Sequence, residues 1–215
     1  MTRVRTTTNE LAFPFSLRPM VKDDIDQVST IERESFPTLW PPTSYRKEIT
    51  NKIAEYIVCV CDHEYLTVTK QSNGWRRWLR KKGRLVTVKK RLVAGFLGVW
   101  YMGGEAHIVT VAVKGEFRRR GIGELLLIGS LELATARDAQ VLTLEARESN
   151  NIAKALYAKY GFLEAGLRKR YYSDNHEDAV IMTTPDIKTS GFQQFISEKK
   201  KEFDLRYGTN SREYL

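Results

Sequence analysis

The chain has 215 residues, 42% of them hydrophobic and 28% charged, with a formal net charge of +9. That length suits one moderate domain with its own core plus appendages. No apolar run approaches the ~20 residues of a membrane span, and the stretch from Met1 to Thr8 lacks the apolar region of a secretory signal.

Residues 1–11 are expected to be poorly ordered, with a domain over 12–187 and a helical extension over 188–215. Phe13-Pro-Phe-Ser-Leu-Arg18 reads as a first strand. Asp23 or Asp24 can cap a helix whose apolar face is Ile25, Val28, Ile31 and Phe36. Pro37, Pro41 and Pro42 interrupt the chain, and a second short helix follows to about Ile49. Tyr56 to Cys61 is nearly continuously apolar, which predicts an interior strand. Its Cys59 and Cys61 are the only cysteines, badly placed for a disulfide and too few for a zinc site. The expectation is a pair of buried thiols in a reducing cytoplasm.

An insert over about 70–91 comes next. From Tyr65 to Gly104 there are ten Lys/Arg and no Asp/Glu, while the rest of the chain has 25 basic against 26 acidic residues. The positive excess therefore belongs to one segment. Trp75 and Trp78 alternate there with Arg76, Arg77, Arg80, Lys81, Lys82 and Arg84. Indoles among cations suit RNA or an anionic membrane, and equally a solvated basic loop with a Trp packed down. Leu92 to Met102 is a strand, Gly103-Gly104 a turn, and Ala106 to Val113 the next strand.

The most informative stretch is Arg118-Arg119-Arg120-Gly121-Ile122-Gly123, which opens an apolar helix running to about Asp138. Such a turn can aim several backbone N–H groups at one anion, and the helix N-terminus adds about half a positive charge. A dinucleotide fingerprint would need glycine where Leu126 stands, and a P-loop would need Gly-Lys-Ser/Thr. A phosphate or pyrophosphate site remains, beside the plainer reading of a basic turn that starts a helix. Val141-Leu-Thr-Leu-Glu145-Ala-Arg147 alternates as a strand. Ser149 or Asn150 can cap the helix that follows, and Gly161 stands where its C-terminal cap belongs. Two closing strands come next, and Phe192, Phe195, Ile196 and Phe203 then repeat as one helical face. His63, His107 and His176 lie on separate elements without metal-ligand spacing, so no metal is expected.

The loop fits Arg/Gln-x-x-Gly-x-Gly/Ala, the coenzyme A pyrophosphate loop of the GNAT acetyltransferases. The blocks Leu144-Glu145-Ala-Arg147-Glu-Ser149-Asn150, Ala155-Leu156-Tyr157 with Gly161-Phe162, Arg170-Tyr171-Tyr172, and Glu177-Asp178-Ala with Met182 resemble the RimI-type ribosomal-protein-alanine N-acetyltransferases. The likeness is clearest from Glu105 to Met182 and looser from Ile31 to Trp40. The resemblance implies an α/β fold with a mixed sheet, in the order β-α-α-β-β-β-α-β-α-β-β. Two parts lie outside it: the basic insert, between the second and third strands, and the tail after about 188, read as an added C-terminal helix.

Acetyl transfer to an amine needs a proton acceptor for the amine, hydrogen-bond donors for the oxyanion, and a proton for the leaving thiolate. By resemblance, Glu145 is the base and Tyr157 the acid. As an ordinary surface carboxylate, Glu145 would instead pair with Arg147, and Tyr157 could be a core aromatic. Asn150 matches the asparagine that binds the cofactor's pantetheine arm or phosphates. Val111, Ala112 and Val113 would offer backbone groups to the arm, and Arg118, Arg119, Arg120, Gly121, Ile122 and Gly123 would hold the pyrophosphate. Thr110 departs from the asparagine frequent in the family. Phe36, Trp40, Tyr171 and Tyr172 match regions that line the acceptor groove. The implied activity is acetyl-CoA-dependent acetylation of a protein N-terminus, first a small-subunit ribosomal protein beginning with alanine. A lysine or small-amine acceptor stays open, as does a coenzyme A-binding adaptor of RNA or membrane without turnover. The oligomeric state is not legible.

Overall fold

A computed structural model describes residues 13–36, 42–71 and 85–213, with the side chains of 67–71 and 85–88 left aside. The elements are β1 (Phe15–Pro19), α1 (Ile25–Ser35), α2 (Tyr45–Glu48), β2 (Ala54–Gln71), β3 (Leu85–Met102), β4 (Glu105–Val113), α3 (Ile122–Ala136), β5 (Val141–Arg147), α4 (Asn151–Lys159), β6 (Leu163–Arg168), β7 (Ala179–Thr183) and α5 (Ser190–Tyr207). This is the expected order, with α5 as the expected C-terminal helix. The seven strands form one sheet in the order β1-β2-β3-β4-β5-β7-β6. Every neighbouring pair is antiparallel except β4 and β5.

Strand β2 explains the layering. Ile57, Cys59 and Cys61 join the core beneath α3, α4 and α5, whereas Tyr56, Val58 and Val60 join the core beneath α1 and α2. Period-two alternation thus gives an interior strand apolar on both sides. Helix α3 is buried from Leu125 through Leu131 because its apolar residues surround it. Burial also raises the thiol pKa values of Cys59 and Cys61. No helix among the described residues is long and apolar enough to cross a membrane.

The insert departs from the expected loop. Strands β2 and β3 continue past the sheet as a two-stranded ribbon, from Tyr65↔Arg91 to Gln71↔Leu85. Lys89, Lys90 and Arg91 are therefore strand residues. The Thr/Val alternation of 67–69 and 86–88 supplies the β preference that the neighbouring charges conceal. Lys90 donates to the Asp23 carbonyl at 2.7 Å, and Arg91 lies 3.5 Å from Glu213. These two cations tie the ribbon's base to the domain. Trp75, Trp78 and the basic cluster between them lie outside the described residues.

Two caps differ in detail. Asp24 precedes α1 without capping it, because its carboxylate takes Arg18 and the Val21 N–H instead. Asn150 does cap α4, accepting from the Ala153 N–H at 3.2 Å, and Gly161 is left-handed at φ 86°.

Candidate active site

The site begins where the sheet splits. Parallel pairing of β4 with β5 runs only from Glu105↔Val141 to Ile108↔Leu144. Opposite β3, Gly98 pairs with Thr110 and Val99 with Ile108, so Val109 is an extra residue. Such a bulge bends its strand, and here it sits at the end of the parallel pairing. Beyond it, among the described residues, no strand pairs with Val109–Val113 on the β5 side. Val111, Ala112 and Val113 therefore border a fork with backbone groups on its edge. The Thr110 hydroxyl is sealed from solvent without a hydrogen-bond partner among the described residues.

At the wide end of the fork lies the basic turn. Arg119 (φ 64°) and Gly121 (φ 84°) are both left-handed, and Gly121 starts α3. No side chain caps this 15-residue helix, so its first N–H groups are left for an outside acceptor. A Cβ on Gly123 would meet Leu156 at 3.7 Å and Val113 at 3.9 Å, ordinary contacts. Protein packing alone thus does not demand glycine at 123, although a ligand approaching the main chain would. Arg118 Nε donates to the Val113 carbonyl at 3.2 Å, and the Arg120 guanidinium lies over Phe117. Of these three arginines, Arg118 braces the loop.

Glu145 is the first β5 residue past the last β4 pair. It shares a face with Val141, Thr143 and Arg147, while Leu142, Leu144 and Ala146 face the core. Its carboxylate does not pair with Arg147. Oε2 lies 3.0 Å from His107 Nε2, and Oε1 lies 3.0 Å from an Arg168 guanidinium nitrogen. The His107 hydrogen bond, with the charges of His107 and Arg168, outweighs burial and holds Glu145 below the usual carboxylate range. His107 Nδ1 is 2.8 Å from Thr143 Oγ1, so both imidazole nitrogens are engaged. His107 was missed as a site residue because only the parallel register, which pairs it with Thr143, brings it to Glu145.

Arg147 turns instead to the 169–178 segment. It donates to both oxygens of Asp174 at 2.8 and 3.0 Å, to Glu177 and Asn175, and lies 3.9 Å from the Tyr172 ring centre. Burial lowers the guanidinium pKa, and the bonds to Asp174 and Glu177 more than restore it. Hydrogen bonds from Ser149, then Asn175 and Arg147, lower Glu177 from 4.5 to about 2. A depressed folded-state pKa stabilises above the unfolded value and is lost as pH falls through the folded one. Thermal melts should therefore show stability contributed by this cluster intact above pH 4.5 and declining toward pH 2. In Arg147→Ala that acid dependence should weaken only in part, because the Ser149 hydrogen bonds to Glu177 remain, at a cost of about 2 kcal/mol at neutral pH. Unchanged melts would contradict this.

Tyr157 is buried, packs on Phe162 at 5.9 Å between ring centres, and its hydroxyl has no hydrogen-bond partner among the described residues. Burial, with the nearby Tyr172, pushes it up to about 12. Tyr172 also feels Glu145 and Arg147. It stands edge-on to Tyr171 at 5.3 Å, whose own pKa is raised by burial and then by Glu145. Glu145, Tyr157, Tyr171 and Tyr172 thus share one neighbourhood, and Arg147 anchors its outer wall.

On the α1 and α2 face of the sheet, the face Glu145 shares, Phe36 and Val109 pack against the cluster containing Ala112. Trp40 lies outside the described residues. The buried Glu32 accepts from Tyr45 at 2.7 Å and from the Thr43 hydroxyl at 2.5 Å. It joins α1 to α2 across the segment carrying Trp40, an anchoring role its spacing did not reveal.

A family model described as Acetyltransferase (GNAT) family matches residues 25–162. A Bacillus subtilis (strain 168) protein, named as a candidate ribosomal protein bS18-alanine N-acetyltransferase, is 36% identical over 168 residues, 78% of this chain and 93% of that protein. The crystal structure of the ribosomal-protein-S18-alanine N-acetyltransferase from Escherichia coli has a TM-score of 0.59 at 25% identity, covering 80% of this chain and 94% of that one. Arabidopsis thaliana NAA60, solved in complex with acetyl-CoA, shares the fold with a TM-score of 0.60 at 15% identity, over 79% of this chain and 97% of that one. With the forked sheet and the uncapped helix behind a glycine turn, these likenesses show that the chain belongs to the GNAT acetyltransferase family and is an enzyme of that family.

Proposed function

We propose that this enzyme acetylates the α-amine of a protein N-terminus from acetyl-CoA, with the N-terminal alanine of a small-subunit ribosomal protein, made in the cytoplasm, as first candidate. The observation that carries the reading is an anionic Glu145 held at the mouth of the fork by His107 and Arg168. The names of the Bacillus subtilis and Escherichia coli relatives support the acceptor.

The fork fits the donor. The Val111–Val113 edge can pair with the amides of a pantetheine arm, and the α3 N-terminus with Gly121 to Gly123 can take a pyrophosphate. Asn150, its Oδ1 already used as a cap, has its amide nitrogen left to donate. When bound, acetyl-CoA supplies an activated acetyl thioester. Glu145 attracts the acceptor ammonium and takes its proton, directly or through one water. His107 donates Nε2–H to Glu145 Oε2 and keeps the carboxylate oriented. The Tyr157 hydroxyl, protonated to about pH 12, can give a proton to the departing sulfur. Phe36, Trp40 and Tyr171 would flank the acceptor peptide.

Thiol release from acetyl-CoA, measured over a panel of acceptors, tests the assignment. An Ala-initiated ribosomal N-terminal peptide should be preferred over polyamines, aminoglycosides and internal-lysine peptides. Preference for a polyamine or antibiotic would overturn the acceptor, and no turnover with any amine would favour the adaptor reading.

The charge excess supports a second contact, with ribosomal RNA. Lys90 and Arg91 are committed to the domain, so attraction would come from the other eight cations of the segment, six of which, Arg76, Arg77, Arg80, Lys81, Lys82 and Arg84, lie within 72–84. Weak RNA binding should fall steeply with salt and vanish when 72–84 is replaced by a two-residue turn, while activity on free peptide stays within about twofold. RNA binding that survives the replacement would refute the contact. Binding to anionic vesicles but not to RNA would reassign it to a membrane.

A further inference from the structure

Helix α5 is the expected C-terminal addition to the strand and helix order, and its two ends rest on two left-handed glycines. At its start, Phe192 and Phe195 cover Gly161, where a Cβ would approach them to 2.9 and 3.2 Å. At its end, the Tyr207 ring covers Gly121, where a Cβ would lie 3.0–3.1 Å from three ring carbons. Gly161 closes the helix that carries Tyr157, and Gly121 is the pivot of the pyrophosphate turn. One helix thus touches the backbone at both sides of the fork.

Tyr207 is held firmly. Its ring lies 4.9 Å from Phe203 and 5.7 Å from Phe13, centre to centre, and Phe203 is 1% exposed. Gly208, at φ 95°, then turns the chain back along β1. There the Leu17 N–H donates to Ser211, the Phe13 N–H to Thr209, and the Glu213 N–H to Leu17. Arg212 and Lys200 both pair with Glu132 on α3. The helix end is therefore clamped to β1 and α3 independently of the glycine turn. The turn itself has two residues in the left-handed region, one of them Arg119, and no side-chain cap. A loop so built has access to other backbone states, and an outside surface can select one.

We infer that Tyr207 is a positioning residue for the acetyl donor: its ring, fixed by α5, holds Gly121 in the left-handed conformation that aims the α3 N–H groups into the fork. The inference rests on the assignment of this turn to the pyrophosphate. Losing the ring lets the turn leave the binding geometry, and apparent affinity falls by the fraction of time it does so. The residue does not touch the reacting atoms, so chemistry at saturating donor is untouched.

The test uses the full chain. In Tyr207→Ala the Kd and KM for acetyl-CoA should rise about tenfold, with kcat at saturating donor and peptide KM within about twofold. Tyr207→Phe should behave as the parent. Tyr207→Leu, which keeps bulk without the flat ring, should weaken donor binding to a lesser degree and covers the case in which the alanine variant fails to fold. Phe195→Ala at the other end of α5 is the control: it should lower the melting temperature without a comparable rise in donor Kd. Amide exchange at Arg119 to Gly123 should quicken in Tyr207→Ala and stay slow in Phe195→Ala. Equal donor Kd in the parent, alanine and leucine proteins would overturn the brace while leaving the turn's assignment intact. A parent protein that binds no acetyl-CoA would overturn the assignment itself.

Discussion

Glu145→Gln is expected to lower kcat by about 100–1000-fold, the range of general acid–base catalysis, with the donor Kd unchanged. The amide keeps the shape and a hydrogen bond to His107, and loses the proton acceptor and the charge that attracts an ammonium. His107→Ala should lose less, because Arg168 still holds Oε1 at 3.0 Å. The pH profile of kcat/KM gives a sharper check. Glu145 lies below the usual carboxylate range, so it stays ionised across neutral pH and adds no limb there. The ascending limb should follow the acceptor, near pH 8 for an α-amine and near 10.4 for a lysine side chain. A limb near the usual carboxylate value of 4.5 would mean that Glu145 is not held as the structure has it.

Tyr157→Phe should lower kcat by about 10–1000-fold with little loss of stability, because its hydroxyl has no hydrogen-bond partner among the described residues to forfeit. The parent should show no falling limb until near pH 12, where the phenol ionises. Its leaving group is a thiol with a pKa near that of cysteine, about 8.5, so the phenylalanine defect should shrink as pH rises past that value. A defect that does not depend on pH, accompanied by a lower melting temperature, would make Tyr157 a core residue only.

Much of this arrangement is legible before any coordinates. The element order follows from periodicity, turn residues and family blocks. Gly121 and Gly161 were placed from the chemistry of helix ends, and both have positive φ. The face Phe192, Phe195, Ile196 and Phe203 announced α5. The rest depends on pairings that no local pattern encodes. His107 meets Glu145 only through a short parallel register, and Arg147 leaves Glu145 for acids nearly thirty positions away. The ribbon was hidden because Lys and Arg among β-branched residues read as a charged loop. Tyr207 falls at the end of its helix, and no local pattern ties it to Gly121 far earlier in the chain.

The central claim is that this site acetylates an α-amine. Its most direct measurement uses one ribosomal N-terminal peptide with a free N-terminal alanine and an internal lysine, incubated with enzyme and acetyl-CoA and mapped by fragmentation mass spectrometry. The account predicts acetyl on the terminal nitrogen alone, with the signal reduced about 100-fold or more in Glu145→Gln. Acetyl on the lysine side chain, or equal labelling by parent and variant, would contradict it.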